Sequence, residues 1–142
     1  MAQQCFVSSE PIVARHAGVD PQVFMLSDIG FNPYTGLIVT RRQTLERHPE
    51  RVQALVRAVR RGWQAYLADP APANRVMQAL NPTMAATTFA EAAVIQAPLI
   101  RGGLADDQLG TMTLDRWGAL AEQLHSLGLP REVGREKAFI NP

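Results

Sequence analysis

The sequence predicts an α/β fold in which a short sheet is followed by a helical tail, and three observations carry that reading. Short apolar runs of strand length, Gln4–Val7, Val23–Leu26 and the β-branched Gly36–Thr40, fall within the first 40 residues. From residue 41 onward the apolar residues recur at spacings of three and four, the period of an amphipathic helix. Cap-plus-proline punctuation recurs between these helical stretches.

Taken in order, the first strand, Gln4–Val7, leads into Ser9-Glu10-Pro11, where Ser9 is placed to cap a short helix and Pro11 to fit its first turn. Gly18 ends that helix, and Val23–Leu26 forms a second strand. Ser27 to Tyr34 concentrates turn formers around Phe31 and Tyr34, which predicts a loop before the third strand. Helical order then begins with Arg42 to Arg47 and continues in a long helix over Pro49–Ala68. Val52, Leu55, Val56, Val59, Trp63, Tyr66 and Leu67 form one stripe of this helix. Asp69-Pro70 and Asn81-Pro82 open two further helices, the second stopped by Gly102-Gly103. A last helix starts at Thr113 and ends at Gly128-Leu129-Pro130, leaving a short amphipathic tail, Lys137 to Ile140. Residues 1–40 and 41–142 are therefore read as two parts, and three strands are too few to cover a hundred residues of helix.

Composition narrows the function classes. Apolar residues at 46% and charged residues at 19% describe a folding chain, and a formal charge of +1 sets no strong overall field towards nucleic acid or an anionic membrane. The one cysteine, Cys5, rules out an intrachain disulfide, and its apolar neighbours predict a buried thiol. No apolar run is long enough to span a bilayer. The N-terminus has no basic region followed by an apolar run, which predicts that the chain as written stays in the cytoplasm.

Patterns that would carry chemistry are sparse. Arg41, Arg42, Arg47, Arg51, Arg57, Arg60 and Arg61 hold half of the 14 cationic residues within 21 positions. They are interspersed with Glu46 and Glu50 and lack alternating aromatics, so they read as a solvated helix face rather than a nucleic-acid surface. His16, His48 and His125 lie in separate elements without the i, i+4 spacing of a helical zinc pair, and Asp106-Asp107 lacks the ligand pattern of a calcium loop. No metal and no cofactor is predicted. No nucleophile elbow surrounds Ser8, Ser9 or Cys5, so no catalytic residue is assigned. Ser8 to Pro11 and Asp28 to Tyr34 each follow a strand-like run, where ligands of open α/β sheets bind.

The order of these features resembles a known family. Phe6-Val7-Ser8-Ser9-Glu10-Pro11, Val23 to Gly30, Asn32-Pro33-Tyr34, Gly36 to Thr40 and His48-Pro49-Glu50-Arg51-Val52 followed by Val59-Arg60-Arg61-Gly62-Trp63 carry the likeness. Gly110-Thr111-Met112-Thr113, Arg116-Trp117 and Lys137-Ala138-Phe139 extend it. The sequence resembles the periplasmic solute-binding proteins of ABC importers, of the nitrate/sulfonate/taurine and thiamine-pyrimidine type.

The resemblance implies the C-terminal part of a two-lobed, type II periplasmic-binding-protein fold. Residues 1–40 would end the second lobe with its return crossover strands, and residues 41–142 would form helices packing on the lobes. It further implies a periplasmic location, a small solute and a membrane permease as partners, no nucleic acid and no catalysis. Ser9, Glu10, Asn32 and Tyr34 become the expected ligand contacts, with Tyr34 stacking on a planar ligand and Glu10 accepting hydrogen bonds, which suits a pyrimidine better than nitrate. Two other readings share the scaffold. A pyrimidine-precursor biosynthesis enzyme would bring histidines and a cysteine cluster with no counterpart here, and an effector-binding regulatory domain would bring a helix-turn-helix. Bare apolar surface on the chain by itself predicts a homodimer.

Overall fold

A computed structural model describes residues 2–129 and 139–141. Pro130 of the expected helix stop and Lys137-Ala138 of the expected tail lie outside the described residues. The order is helical throughout: α1 (Glu10–His16), α2 (Arg42–Arg47), α3 (Pro49–Ala68), α4 (Ala71–Leu80), α5 (Ala86–Arg101) and α6 (Leu114–Ser126), with 3₁₀ turns at Leu26–Ile29 and Asp106–Gln108.

The expected sheet is absent, since no strand occurs among the described residues. This corrects the α/β reading, including its short sheet and crossover strands. Gln4–Val7, Val23–Leu26 and Gly36–Thr40 have strand composition, yet a strand exists only where a neighbour supplies ladder hydrogen bonds and a face to bury. Neither is supplied here: Phe6 is 75% exposed, Phe24 83% and Val39 84%. Cys5, expected to be buried with the first run, is exposed for the same reason. The second run is instead partly absorbed into the 3₁₀ turn that begins at Leu26, and Gly30 follows it with a positive φ of 87°, a conformation open to glycine at little cost.

The helix boundaries follow local chemistry. Pro49 opens α3, and the Asp69 carboxylate accepts a hydrogen bond from the Ala71 N–H at the start of α4. α5 ends on Gly102 in the left-handed conformation (φ 55°). Thr113 caps α6, its hydroxyl accepting from the Arg116 N–H. Ser9 occupies the cap position of α1, but its side chain makes no capping bond, contrary to expectation. Glu10 reaches back instead and accepts from the Phe6 N–H at 3.1 Å.

The chain divides into two compact units, one of Met1–Met25 with Arg60–Leu109, the other of Leu26–Val59 with Gly110–Pro142. In the first, α5 packs against α1 and α4. Among the described residues the buried apolar side chains, Pro11, Ile12, Ala93 and Leu109, all lie in this unit. Asn74 of α4 donates to the Phe89 carbonyl and accepts, at a longer 3.4 Å, from the Tyr66 hydroxyl; burial pushes the Tyr66 phenol above its usual range. The C-terminal part of α3 is tied down by Arg60 and Gln64, which donate to the carbonyls of Leu109 and Asp106. In the second unit, the loop after the 3₁₀ turn lies against α6, held there by Arg116 and Gln123.

Candidate functional site

In the second unit the site is organised by Arg116, in the first turn of α6. Its Nε donates to the Asn32 carbonyl (2.7 Å), and one Nη donates to both Asn32 Oδ1 (2.7 Å) and the Pro33 carbonyl (3.1 Å). A guanidinium has its donors in a rigid fork, which lets one side chain hold three acceptors of a loop at once. The same guanidinium sits 4.2 Å from the centre of the Tyr34 ring. Tyr34 in turn accepts a hydrogen bond from the Thr113 N–H at 2.9 Å, one of the orphan donors at the start of α6.

Trp117 completes the cluster. Its ring lies 5.9 Å from Tyr34, tilted by 42°, and stacks 6.0 Å from Phe139. The Trp117 Nε1 is buried without a hydrogen-bond partner, a state that costs about 1–3 kcal/mol until an acceptor reaches it. Asn141 closes the other side by pairing both ways with the Met112 backbone, and Gln123 donates to the Gly30 carbonyl. Between the loop and α6 lies a cavity of about 110 Å³ lined by Gly30, Asn32, Pro33, Arg116, Leu120 and Gln123, among others. Pockets that enclose a drug-sized ligand start near ~300 Å³, so this unit encloses a small solute only in part.

Two of the four expected ligand residues are thus at this place, each with some capacity already used. The Asn32 side-chain oxygen is taken by Arg116, leaving its amide N–H groups for an outside acceptor. Tyr34 has one ring face covered by Arg116 but keeps its O–H as a donor. Ser9 and Glu10 belong to the other unit. There the Ser9 carbonyl accepts from Ile12 and Val13, and one Glu10 oxygen is held by Phe6. In the sequence, Arg116 and Trp117 contribute only to the family likeness. Their pairing with Asn32 and Tyr34, more than 80 positions away, has no local signature.

The first unit carries a polar cluster that the sequence did not suggest. His16 Nε2 lies 2.7 Å from Glu91 Oε1, and His16 Nδ1 lies 3.4 Å from the hydroxyl of the buried Thr88. The i, i+3 spacing of Thr88 and Glu91 puts both on the face of α5 that meets α1. Thr88 is closed off from solvent, so the cluster fastens α1 to α5. Among the described residues no group of three or more His, Cys, Asp or Glu side chains is placed to hold a metal ion.

The comparison with known families gives the class: the chain is of the nitrate/sulfonate/thiamine-pyrimidine solute-binding type. Residues 2–73, half of the chain, match the model of the NMT1/THI5-like family, and the chain belongs to that family. The match takes in Ser9, Glu10, Asn32 and Tyr34 and stops short of α5 and α6. No curated protein and no solved structure matches the chain.

Proposed function

We propose that the chain takes part in solute capture for an ABC importer, binding a small polar or heterocyclic solute at the periplasmic face and presenting it to a membrane permease without altering it. The observation that carries this reading is the family match over residues 2–73, which contains the donor-bearing Asn32-Pro33-Tyr34 loop. The chemistry of that loop supports a solute rich in acceptors. Asn32 amide hydrogens and the Tyr34 hydroxyl are donors of this loop; Glu10, in the first unit, is the acceptor that the family likeness implies. A pyrimidine offers ring-nitrogen acceptors to the loop donors and a planar face to Tyr34.

The test is calorimetric titration with hydroxymethylpyrimidine, taurine and nitrate. The pyrimidine is expected to bind most tightly, and Glu10→Gln and Tyr34→Ala each to weaken it about tenfold or more, the loss of one charged or buried hydrogen-bond partner. Unchanged affinity in both variants would remove these residues from the site.

Self-association belongs to the same reading. Phe6, Phe24, Ile29 and Val39 are each at least 75% exposed, so large apolar side chains are left in water. Exposed apolar side chains of this kind are covered by contact with a second copy. Sedimentation velocity at micromolar concentration is expected to show dimers or larger species; a single monomeric boundary counts against it.

A further inference from the structure

We propose that α2 and α3 form a docking surface for an anionic lipid bilayer. Seven arginines against two glutamates give residues 41–61 a formal charge of +5, and because the whole chain carries +1, the remainder carries −4. The positive charge is therefore concentrated in one segment while the chain as a whole is nearly neutral. Among the described residues, none of Arg41, Arg42, Arg47, Arg51, Arg57 and Arg61 has a carboxylate partner, although Glu46 and Glu50 lie in the same stretch. Arg60 also has no carboxylate partner, its Nε being held by the Leu109 backbone carbonyl.

Charge alone would leave a solvated face, and a second feature of α3 decides against that. Leu55, Val59 and Trp63 follow one another at intervals of four on one line of the helix, and they are 51%, 37% and 43% exposed. Arg57 and Arg61, also four apart, lie on the opposite side, and Arg51 borders the apolar row one turn before Leu55. A 20-residue helix with an open Leu-Val-Trp row and an arginine-rich polar face has the build of a helix that lies in a membrane interface. Trp at the headgroup level and arginines whose alkyl stems run along apolar surface both suit that position. The helix does not span: no helix among the described residues is long and apolar enough to cross a membrane. A nucleic acid would use the arginines and leave the apolar row bare, whereas an anionic bilayer uses both.

The experiment is co-sedimentation of the chain with phosphatidylcholine vesicles, with and without phosphatidylglycerol, read together with the emission of Trp63. Binding is expected only with the anionic lipid, weakened by added salt, with a blue shift that Trp63→Phe abolishes. Arginine near an anionic surface contributes about fivefold in affinity. Arg47→Gln/Arg51→Gln/Arg57→Gln is accordingly expected to lose about a hundredfold, and lysine at the same three positions to retain most of the binding. Circular dichroism checks that the helices persist; should the glutamine variant unfold, the salt dependence and the Trp63 shift of the unaltered chain still decide. Equal binding to neutral and anionic vesicles, no vesicle binding, or retention on duplex DNA without vesicle binding each overturns the proposal.

Discussion

Arg116→Ala is expected to release the Gly30–Tyr34 loop from α6 and to raise amide exchange across that loop and the first turn of α6 by one to two orders of magnitude, a local loss of about 2–3 kcal/mol. The figure follows from what the guanidinium holds. Three acceptors, the carbonyls of Asn32 and Pro33 and the Asn32 side chain, lose a charged donor together, and Tyr34 loses the cation over its ring. Charge-assisted bonds contribute about 1.5–3 kcal/mol each when shielded, but Asn32 is exposed, so water replaces part of the loss and the sum falls well below three full bonds. Arg116→Lys separates charge from geometry: an ammonium keeps the cation yet cannot span the same fork, so it is expected to recover less than half of the protection. Exchange in Arg116→Ala that matches the unaltered chain would mean that the loop is held by Thr113, Trp117 and Gln123 without it.

Ile12→Ala carries the other large effect, about 2–5 kcal/mol, the range for truncating a buried aliphatic side chain to alanine. Ile12 is fully buried while most apolar side chains around it in sequence are not: Val13 is 50% exposed and Val19 57%. It lies on α1, a helix of seven residues that is too short to persist without a docking contact. Removing its anchor should undock α1 from α5 and break the His16–Glu91 and His16–Thr88 contacts together. The unit has few other buried apolar side chains to absorb the change. Urea unfolding followed by helix content, with exchange of the α1 amides, measures this. Val94→Ala serves as the control, since Val94 is on α5 but 75% exposed, and its cost should stay within about 0.5 kcal/mol. Equal effects for the two variants would show that Ile12 is not the anchor.

These two residues mark what could be read from the chain and what could not. Ile12 is one of many apolar residues in the first 40, and nothing in its spacing distinguishes it from Phe6 or Phe24, which are exposed. Arg116 stands in a stretch that carries family likeness, but its acceptors lie 83 and 84 positions away. Of the expected ligand residues, Asn32 and Tyr34 stand in a stretch of turn formers after an apolar run, and the structure keeps that stretch as a loop. Ser9 holds the cap position without using its hydroxyl, since the glutamate after it makes the contact back to Phe6, and a cap signal in sequence does not distinguish the two.

The sequence by itself determined most of the helix bounds: α3 over Pro49–Ala68, α4 after Asp69-Pro70, the stop of α5 at Gly102 and the Thr113 start of α6 fall where capping and proline chemistry put them, whereas α5 begins at Ala86 and not at the expected Asn81-Pro82. It also carried the family, through the ordered features of residues 2–73. Helix hydrogen bonds close within four residues, so their start and stop signals are local. Only the tertiary structure decided that Gln4–Val7, Val23–Leu26 and Gly36–Thr40 form no strands, that the Leu55, Val59 and Trp63 row of α3 stays open, and that Arg116 holds the Tyr34 loop. Each of these depends on a partner distant in sequence, present or missing, and apolar composition records the need for such a partner without naming it.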